Sequence, residues 1–290
     1  MPVEVYFNVA ISGLLAGLIY GLSALGLSVI FGVIRIVNFA HGEIMVIGMF
    51  FALVLFRSLG LDPLLSVPIV AVVLFGFGYL LQTVVIERVA HLADHYQFLL
   101  MAAIAIILIS ASLMVFGPDA QGAQLPYAFD SFQIGPLIID KVRLYAGAAA
   151  LVVAALLFAF FRYTSTGKAI RACGDNPAGA LVVGLNVRHM YALTFGIGAA
   201  CLGAAGAIIL MVVDAHPYLG PEYTLLAFII VIVGGLGSLP GAMLGGVLIG
   251  TSEALAGILL QPSLKSAFSF GLLILVLLLR PQGLLGKASQ

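Results

Sequence analysis

The sequence predicts an all-α integral membrane protein, a polytopic bundle of about 8 to 10 transmembrane helices with broken or re-entrant segments. Two observations carry most of this. The chain is 63% hydrophobic and 8% charged, with a mean hydropathy of +1.22, outside the range of soluble domains. Long uncharged runs then recur along its 290 residues, and about 20 apolar residues cross a hydrocarbon core of about 30 Å. Eight to ten such segments plus turns use the whole length, so residues 1–290 read as one transmembrane domain. The 34 glycines agree, because Gly is commoner in membrane helices than in soluble ones.

The elements follow from the uncharged runs. Residues 5–34 would form a straight helix of roughly 45 Å, longer than the core, so the helix is expected to tilt or to break near Gly26 or Gly32. The run 44–56 is too short to cross alone, so its span has to begin inside Asn38-Phe39-Ala40-His41-Gly42-Glu43. Residues 63–86, 96–118, 144–161 and 190–213 each have the length of one span. The run 223–252 is interrupted by Gly234-Gly235-Leu236-Gly237-Ser238-Leu239-Pro240-Gly241 and reads as two spans or half-spans around a break. A final apolar run, 266–279, ends at Arg280-Pro281.

Orientation follows from the basic residues. The polar stretch 162–189 holds Arg162, Lys168, Arg171 and Arg188 against Asp175 alone, which places it in the cytoplasm by the positive-inside rule. Arg35, Arg88, Arg280 and Lys287 fall on the same side, whereas 119–143 and 214–222 carry more acids than bases and face outside. The amino terminus is then outside, with about nine spans.

A net charge of zero leaves no basic patch to neutralise phosphates, so nucleic acid is excluded as a partner. Two cysteines, Cys173 and Cys201, give neither a disulfide framework nor a zinc pattern. His91 and His95 flank Asp94 without a third ligand and read as a solvated turn, so no metal is expected. The first apolar stretch is too long for a cleaved signal peptide and lacks its basic start.

Three polar features stand at membrane depth. Asn38, His41 and Glu43 precede the short run, where a carboxylate is costly unless it faces a cavity or a partner. They read either as a pathway or gating element or as a helix cap with Glu43 paired to Arg35 or His41. The break with Gly235, Gly237 and Ser238 is either unwound backbone lining a cavity or a tight turn. Glu253 lies deep in a later span and is either a pathway acid or a hydrogen-bond partner of Thr251 or Ser252. The series Gly241, Gly245, Gly246 and Gly250 reads as helix packing.

No H-E-x-x-H, G-x-S-x-G or phosphate-cradling G-x-x-x-x-G-K-[ST] motif occurs. The chain therefore reads as no enzyme, with no cofactor of its own. Energy from ATP would have to come through another chain.

The segments 38–43, Ile86-Glu87-Arg88, Thr166-Gly167-Lys168-Ala169-Ile170-Arg171-Ala172, Gly184-Leu185-Asn186, 234–242 and 275–286 together resemble the LivH-type permease of bacterial branched-chain amino acid ABC transporters. The likeness runs over essentially the whole chain. It implies a multi-pass protein of the bacterial cytoplasmic (inner) membrane, working beside a second, LivM-like permease. Two ATPases of the LivG and LivF type and an extracytoplasmic substrate-binding protein would complete the importer, with ATP used by the ATPases. It also implies a branched-chain amino acid substrate, with urea or a short amide as the alternative. A self-sufficient ion-coupled transporter using Glu43 and Glu253 is the reading from a different class, and a membrane-embedded enzyme is a third.

Many such importers carry a cytoplasmic E-A-A-x-x-x-G segment that docks on the ATPase. Residues 178–184 match its spacing, with Ala178 and Gly179 in place of the first two residues. Independently, Asp175-Asn176-Pro177 reads as a helix start, with Asp175 or Asn176 as cap and Pro in the first turn. A short helix over about 177–183, closed near Gly184, is expected. Gly179 and Ala180 would set the approach to the ATPase, and Lys168 and Arg171 would add attraction.

Overall fold

The computed structural model describes residues 3–90, 92–135, 137–259 and 265–286; His91 and Lys287 lie outside them. Helices α1 (Val3–Ile34), α2 (His41–Leu59) and α3 (Pro63–Leu81) come first, with α3 continuing through a π-helical turn, Gln82–Ile86, into α4 (Glu87–Val89). Next come α5 (Asp94–Phe116), a hairpin of β1 (Ser131–Ile134) and β2 (Leu137–Asp140), and α6 (Lys141–Tyr163). Two short helices, α7 (Ser165–Asp175) and α8 (Pro177–Val182), lead to α9 (Val187–Ile209), α10 (Leu219–Gly234), α11 (Leu239–Leu259) and α12 (Lys265–Leu279). Among the described residues, seven helices are long and apolar enough to cross a membrane, and Leu219–Gly234 and Ala267–Leu279 are shorter apolar helices.

Helix ends follow local chemistry. Asp62 caps α3 through the amide of Leu64, 2.8 Å away, and Asp140 caps α6 through Val142 at 2.9 Å. Of the two expectations for residues 5–34, a tilt or a break near Gly26 or Gly32, the break does not occur: α1 is one continuous helix. Neighbours explain this, because Gly26 and Gly32 are sites of close approach rather than bends. A Cβ on Gly26 would stand 2.9 Å from the Gly198 carbonyl oxygen, and one on Gly32 3.1 Å from the Gly237 Cα.

The chain has a basic end and an acidic end. Gly174 of α7 lies against Gly32 and Val33 near the end of α1, and Arg188 pairs with Glu87 at 2.9 Å. At the opposite end the Ile138 amide donates to Asn8 Oδ1 at 3.1 Å and Arg57 donates to Gln121 at 2.6 Å. The Tyr127 hydroxyl also donates to Asp62 there, at 2.6 Å.

Burial and the Asp62 carboxylate push the Tyr127 phenol above its ordinary pKa. The folded state therefore holds this proton more tightly. The bond's contribution is complete below about pH 10, the ordinary tyrosine value, and fades as pH rises beyond it. Tyr127→Phe should cost about 1 kcal/mol at neutral pH, read as a lower melting temperature in detergent. A wild-type melting temperature would show that the bond contributes nothing.

Two helices, α2 and α10, start inside the bundle rather than at one of its ends. Ser23 lies roughly 30 Å from the start of α1 and roughly 16 Å before its end, and its hydroxyl meets His41 Nε2 at 3.4 Å. The first residue of α2 thus sits at mid-bundle, reached by residues 35–40, which run inward without helix from the basic end. Helix α10 is the counterpart. After α9 the chain reaches the acidic end, where Ala215 and Gln121 exchange backbone hydrogen bonds, and returns to begin α10 beside the first turn of α2. Helix α2 proceeds to the acidic end and α10 to the basic end.

The order of long helix, non-helical segment, shorter helix and helix therefore occurs twice with opposite directions: α1, 35–40, α2, α3 and α9, 210–218, α10, α11. The units interlock, since α1 packs along α11 and α9 along α3. Small residues permit it. A Cβ on Gly17 would lie 2.6 Å from the Gly246 carbonyl oxygen, and one on Gly78 2.5 Å from Ala199 Cβ. The glycine series of α11 serves two partners, Gly246 and Gly250 facing α1 while Gly241 and Gly245 face α10.

Candidate functional site at the crossing of two half-helices

Helix N-termini leave amides without intrahelical partners, and two of them meet inside the bundle, where Gly42, Glu43, Gly220 and Thr224 are buried. Helix α2 has no side-chain cap of its own. The amide of Gly42 instead donates to Thr224 Oγ1 of α10 at 2.8 Å, and the Thr224 hydroxyl donates to Glu43 Oε2 at 3.4 Å. Glu43, 4% exposed, lies in the first turn of α2, and its carboxyl group would stand 2.9 Å from a Cβ on Gly220. One carboxylate thus sits at the positive ends of two helix dipoles. The expected pairing with Arg35 or His41 is absent, because Arg35 lies exposed at the basic end and the His41 ring turns to Ser23.

Asn38 and His41 are both fully buried. Asn38 Oδ1 accepts from the Ala40 amide at 3.0 Å, shaping the turn into α2. Among the described residues, Asn38 Nδ2, His41 Nδ1, Ser28 Oγ and Gln82 Oε1 are buried without a hydrogen-bond partner, the first two beside the start of α2. Such atoms cost about 1–3 kcal/mol each, and Asn38 and His41 leave polar capacity unfilled where the chain turns into α2. Sequence reasoning missed Ser23, Thr224 and Gly220, whose role exists only because α10 begins beside α2.

The remaining residues lie elsewhere. Glu253 accepts from Ser269 Oγ at 2.6 Å, joining α11 to α12, while Thr251 bonds the Val247 carbonyl of its own helix. Gly235, with φ +107, and Gly237, with φ +76, form a tight turn at the basic end. There Ser238 Oγ accepts from the Gly241 amide at 3.2 Å. Segment 280–286 lies across this turn, and the amides of Leu284 and Leu285 donate to the carbonyls of Val233 and Gly234 at 2.9 Å. The break therefore lines no part of the mid-bundle crossing. A cavity of about 1080 Å³ opens beside it, lined by Gly237 and Ser238 together with Arg171 and Asp175.

Helix α8 is built as the residues specify. Asn176 Oδ1 accepts from the Gly179 amide at 2.9 Å, Pro177 takes the first turn, and Gly184, with φ +85, closes the helix. Its faces differ from expectation. Ala180 is 3% exposed, packed within this chain, whereas Leu181, Val182 and Val183 are 61%, 86% and 75% exposed. Lys168 and Arg171 are exposed on α7.

A helical membrane protein in which two oppositely directed helices start inside the bundle, with buried polar groups at their meeting point, has an arrangement found in membrane transporters. Comparison with known proteins gives the family. The model of the family described as "Branched-chain amino acid transport system / permease component" matches residues 9–277, and the chain belongs to it. It is 31% identical to the high-affinity branched-chain amino acid transport system permease protein BraD of Pseudomonas aeruginosa, over 97% of this chain and 96% of that one. It is 32% identical to LivH of Escherichia coli, over 95% and 94% respectively. A probable LivH of Methanocaldococcus jannaschii is 27% identical, over 91% and 88%.

Proposed function

We propose that this chain is the transmembrane permease subunit of an ATP-driven importer for branched-chain amino acids. It takes substrate from an extracytoplasmic binding protein and couples to separate ATPase subunits through the 162–189 loop. The observation that carries the reading is the exposed apolar tip of α8, Leu181, Val182 and Val183, held out at the basic end by a capped helix. Three adjacent apolar side chains raised on such a helix suit insertion into a groove on another chain. The substrate reading draws on the relatives, which are permease proteins of branched-chain amino acid transport systems. Basic residues at the α8 end match the charge bias of cytoplasmic loops, so the acidic end with the hairpin would receive the binding protein.

The crossing of α2 and α10 is the gate in this reading. The two helices are tied through Gly42, Thr224 and Glu43, and the unfilled polar atoms of Asn38 and His41 gain partners when the gate opens. An ion-coupled transporter would instead need Glu43 free to exchange a proton or cation. Its carboxylate is already engaged by Thr224 and by two helix N-termini, which favours the importer.

The reading predicts that the chain alone in liposomes neither hydrolyses ATP nor accumulates substrate, and that uptake appears on adding the ATPases and binding protein. Robust ion-driven uptake by the single chain would discard it. Leucine, isoleucine or valine in excess should abolish uptake of labelled leucine, and urea should leave it unchanged. Competition by urea or short amides alone would move the substrate to that class.

A further inference from the structure

The cavity at the basic end has features beyond the coupling reading, which draws on Arg171 alone among its arginines. Three guanidinium groups line it, Arg35 after α1, Arg162 at the end of α6 and Arg171 on α7, against one carboxylate, Asp175. Among the described residues none of the three is in an ion pair; Arg162 lies 5.6 Å from the ring of Tyr163. Arg35 holds φ +62, the one non-glycine residue with positive φ among the described residues. Glycine takes this conformation without strain, so the chain keeps a side chain where backbone geometry favours none. Deeper in, the wall is mostly apolar, with Val29, Phe158, Phe161 and Ile232 beside Ser28. It reaches roughly 9 Å along α1 from the rim.

We propose that this cavity binds the phosphate of an anionic phospholipid, with the headgroup on Arg35, Arg162 and Arg171 and an acyl chain along the apolar wall. Guanidinium matches phosphate oxygens in a bidentate fork. Basic pockets between helices at the cytoplasmic membrane face suit anionic headgroups. A free phosphate would use the same arginines and leave the apolar wall without a role. The siting rests on the reading that this end faces the cytoplasm. The test uses symmetric bilayers, so its failure leaves the importer reading, tested by uptake, untouched.

The full chain is reconstituted in phosphatidylcholine nanodiscs with increasing phosphatidylglycerol, and bound lipid is read by native mass spectrometry beside the melting temperature. The wild type should retain phosphatidylglycerol and melt higher as its fraction rises. Each arginine lost should weaken binding roughly fivefold, so that Arg162→Gln with Arg171→Gln loses roughly 25-fold. Arg35→Gly should lose its share of lipid binding while melting no lower than wild type in pure phosphatidylcholine, since glycine relieves the backbone. That separates a lost ligand from a damaged fold. Equal phosphatidylglycerol retention by wild type and all variants overturns the proposal. So does full protection by inorganic phosphate in phosphatidylcholine discs, which assigns the site to a free anion. Variants that bind lipid normally but lose ATPase co-purification would give these arginines to a protein surface and overturn it as well.

Discussion

Gly42→Val should leave little folded permease. A Cβ at this position would overlap the carbonyl oxygen of Gly220 and lie 2.8 Å from Thr224 Oγ1, and the first of these is backbone in another helix's opening turn. Overpacking in a tight core costs about 1–3 kcal/mol. Here the Gly42 amide also moves off Thr224, leaving a buried donor unpaired at a further cost of about 1–3 kcal/mol. The sum approaches the whole stability of a modest domain. Gly220→Ala should be milder, because the atoms it meets belong to the end of the Glu43 side chain. Gly76→Ala in α3 is the control: nothing lies within 4 Å of its added Cβ, and alanine favours the helix by roughly 1 kcal/mol. Detergent melting profiles of the three should rank Gly76→Ala, Gly220→Ala, Gly42→Val from most to least stable. A wild-type profile for Gly42→Val would show that the two half-helices do not meet this way.

Leu181→Asp combined with Val182→Asp should abolish recovery of the ATPases with this chain while leaving its own melting temperature within error. Both side chains are exposed, so the isolated chain loses little. In the complex, roughly 100 Å² or more of buried apolar surface per residue would be forfeited, about 2.5 kcal/mol each at 25 cal/mol per Å². Two carboxylates would be desolvated besides. Ala180→Trp should do the reverse, destabilising the chain itself because Ala180 packs inward. Lys168→Gln with Arg171→Gln should weaken assembly modestly, more at low salt than at high. Intact ATPase recovery with the double aspartate variant would remove α8 as the coupling element.

The α8 helix shows how far local chemistry reaches. Asn176 as cap, Pro177 in the first turn and Gly184 as terminator are all decided within nine residues, so its limits were legible in the sequence. Which face it shows a partner depends on α9 behind it, and a spacing match alone favoured Gly179 and Ala180 over Leu181 and Val182. The site at the crossing divides in the same way. That the short run 44–56 had to draw on Asn38, His41 and Glu43 followed from length against bilayer thickness. That Glu43 would settle on Thr224 and the first turn of α10, and not on Arg35 or His41, did not follow.

Glu253 and the glycine break repeat the lesson. An acid deep in an apolar run announced that it needed a partner, but the partner was Ser269 on the next helix. Glycines 235 and 237 announced a turn, but not that the 280–286 segment would close over it.

What the sequence by itself determined is what composition, run length and local caps encode: a helical membrane bundle, the places where helices start and stop, and the basic and acidic ends. The tertiary structure alone decided the meeting of α2 with α10, the interlocking of α1 with α11 and α9 with α3, and the gathering of Arg35, Arg162 and Arg171 around one cavity. The reason is physical. Hydropathy and capping act over a few residues along the chain, whereas backbone contacts between glycines, cross-helix caps and cavities join positions more than a hundred residues apart and leave no periodic trace in either partner.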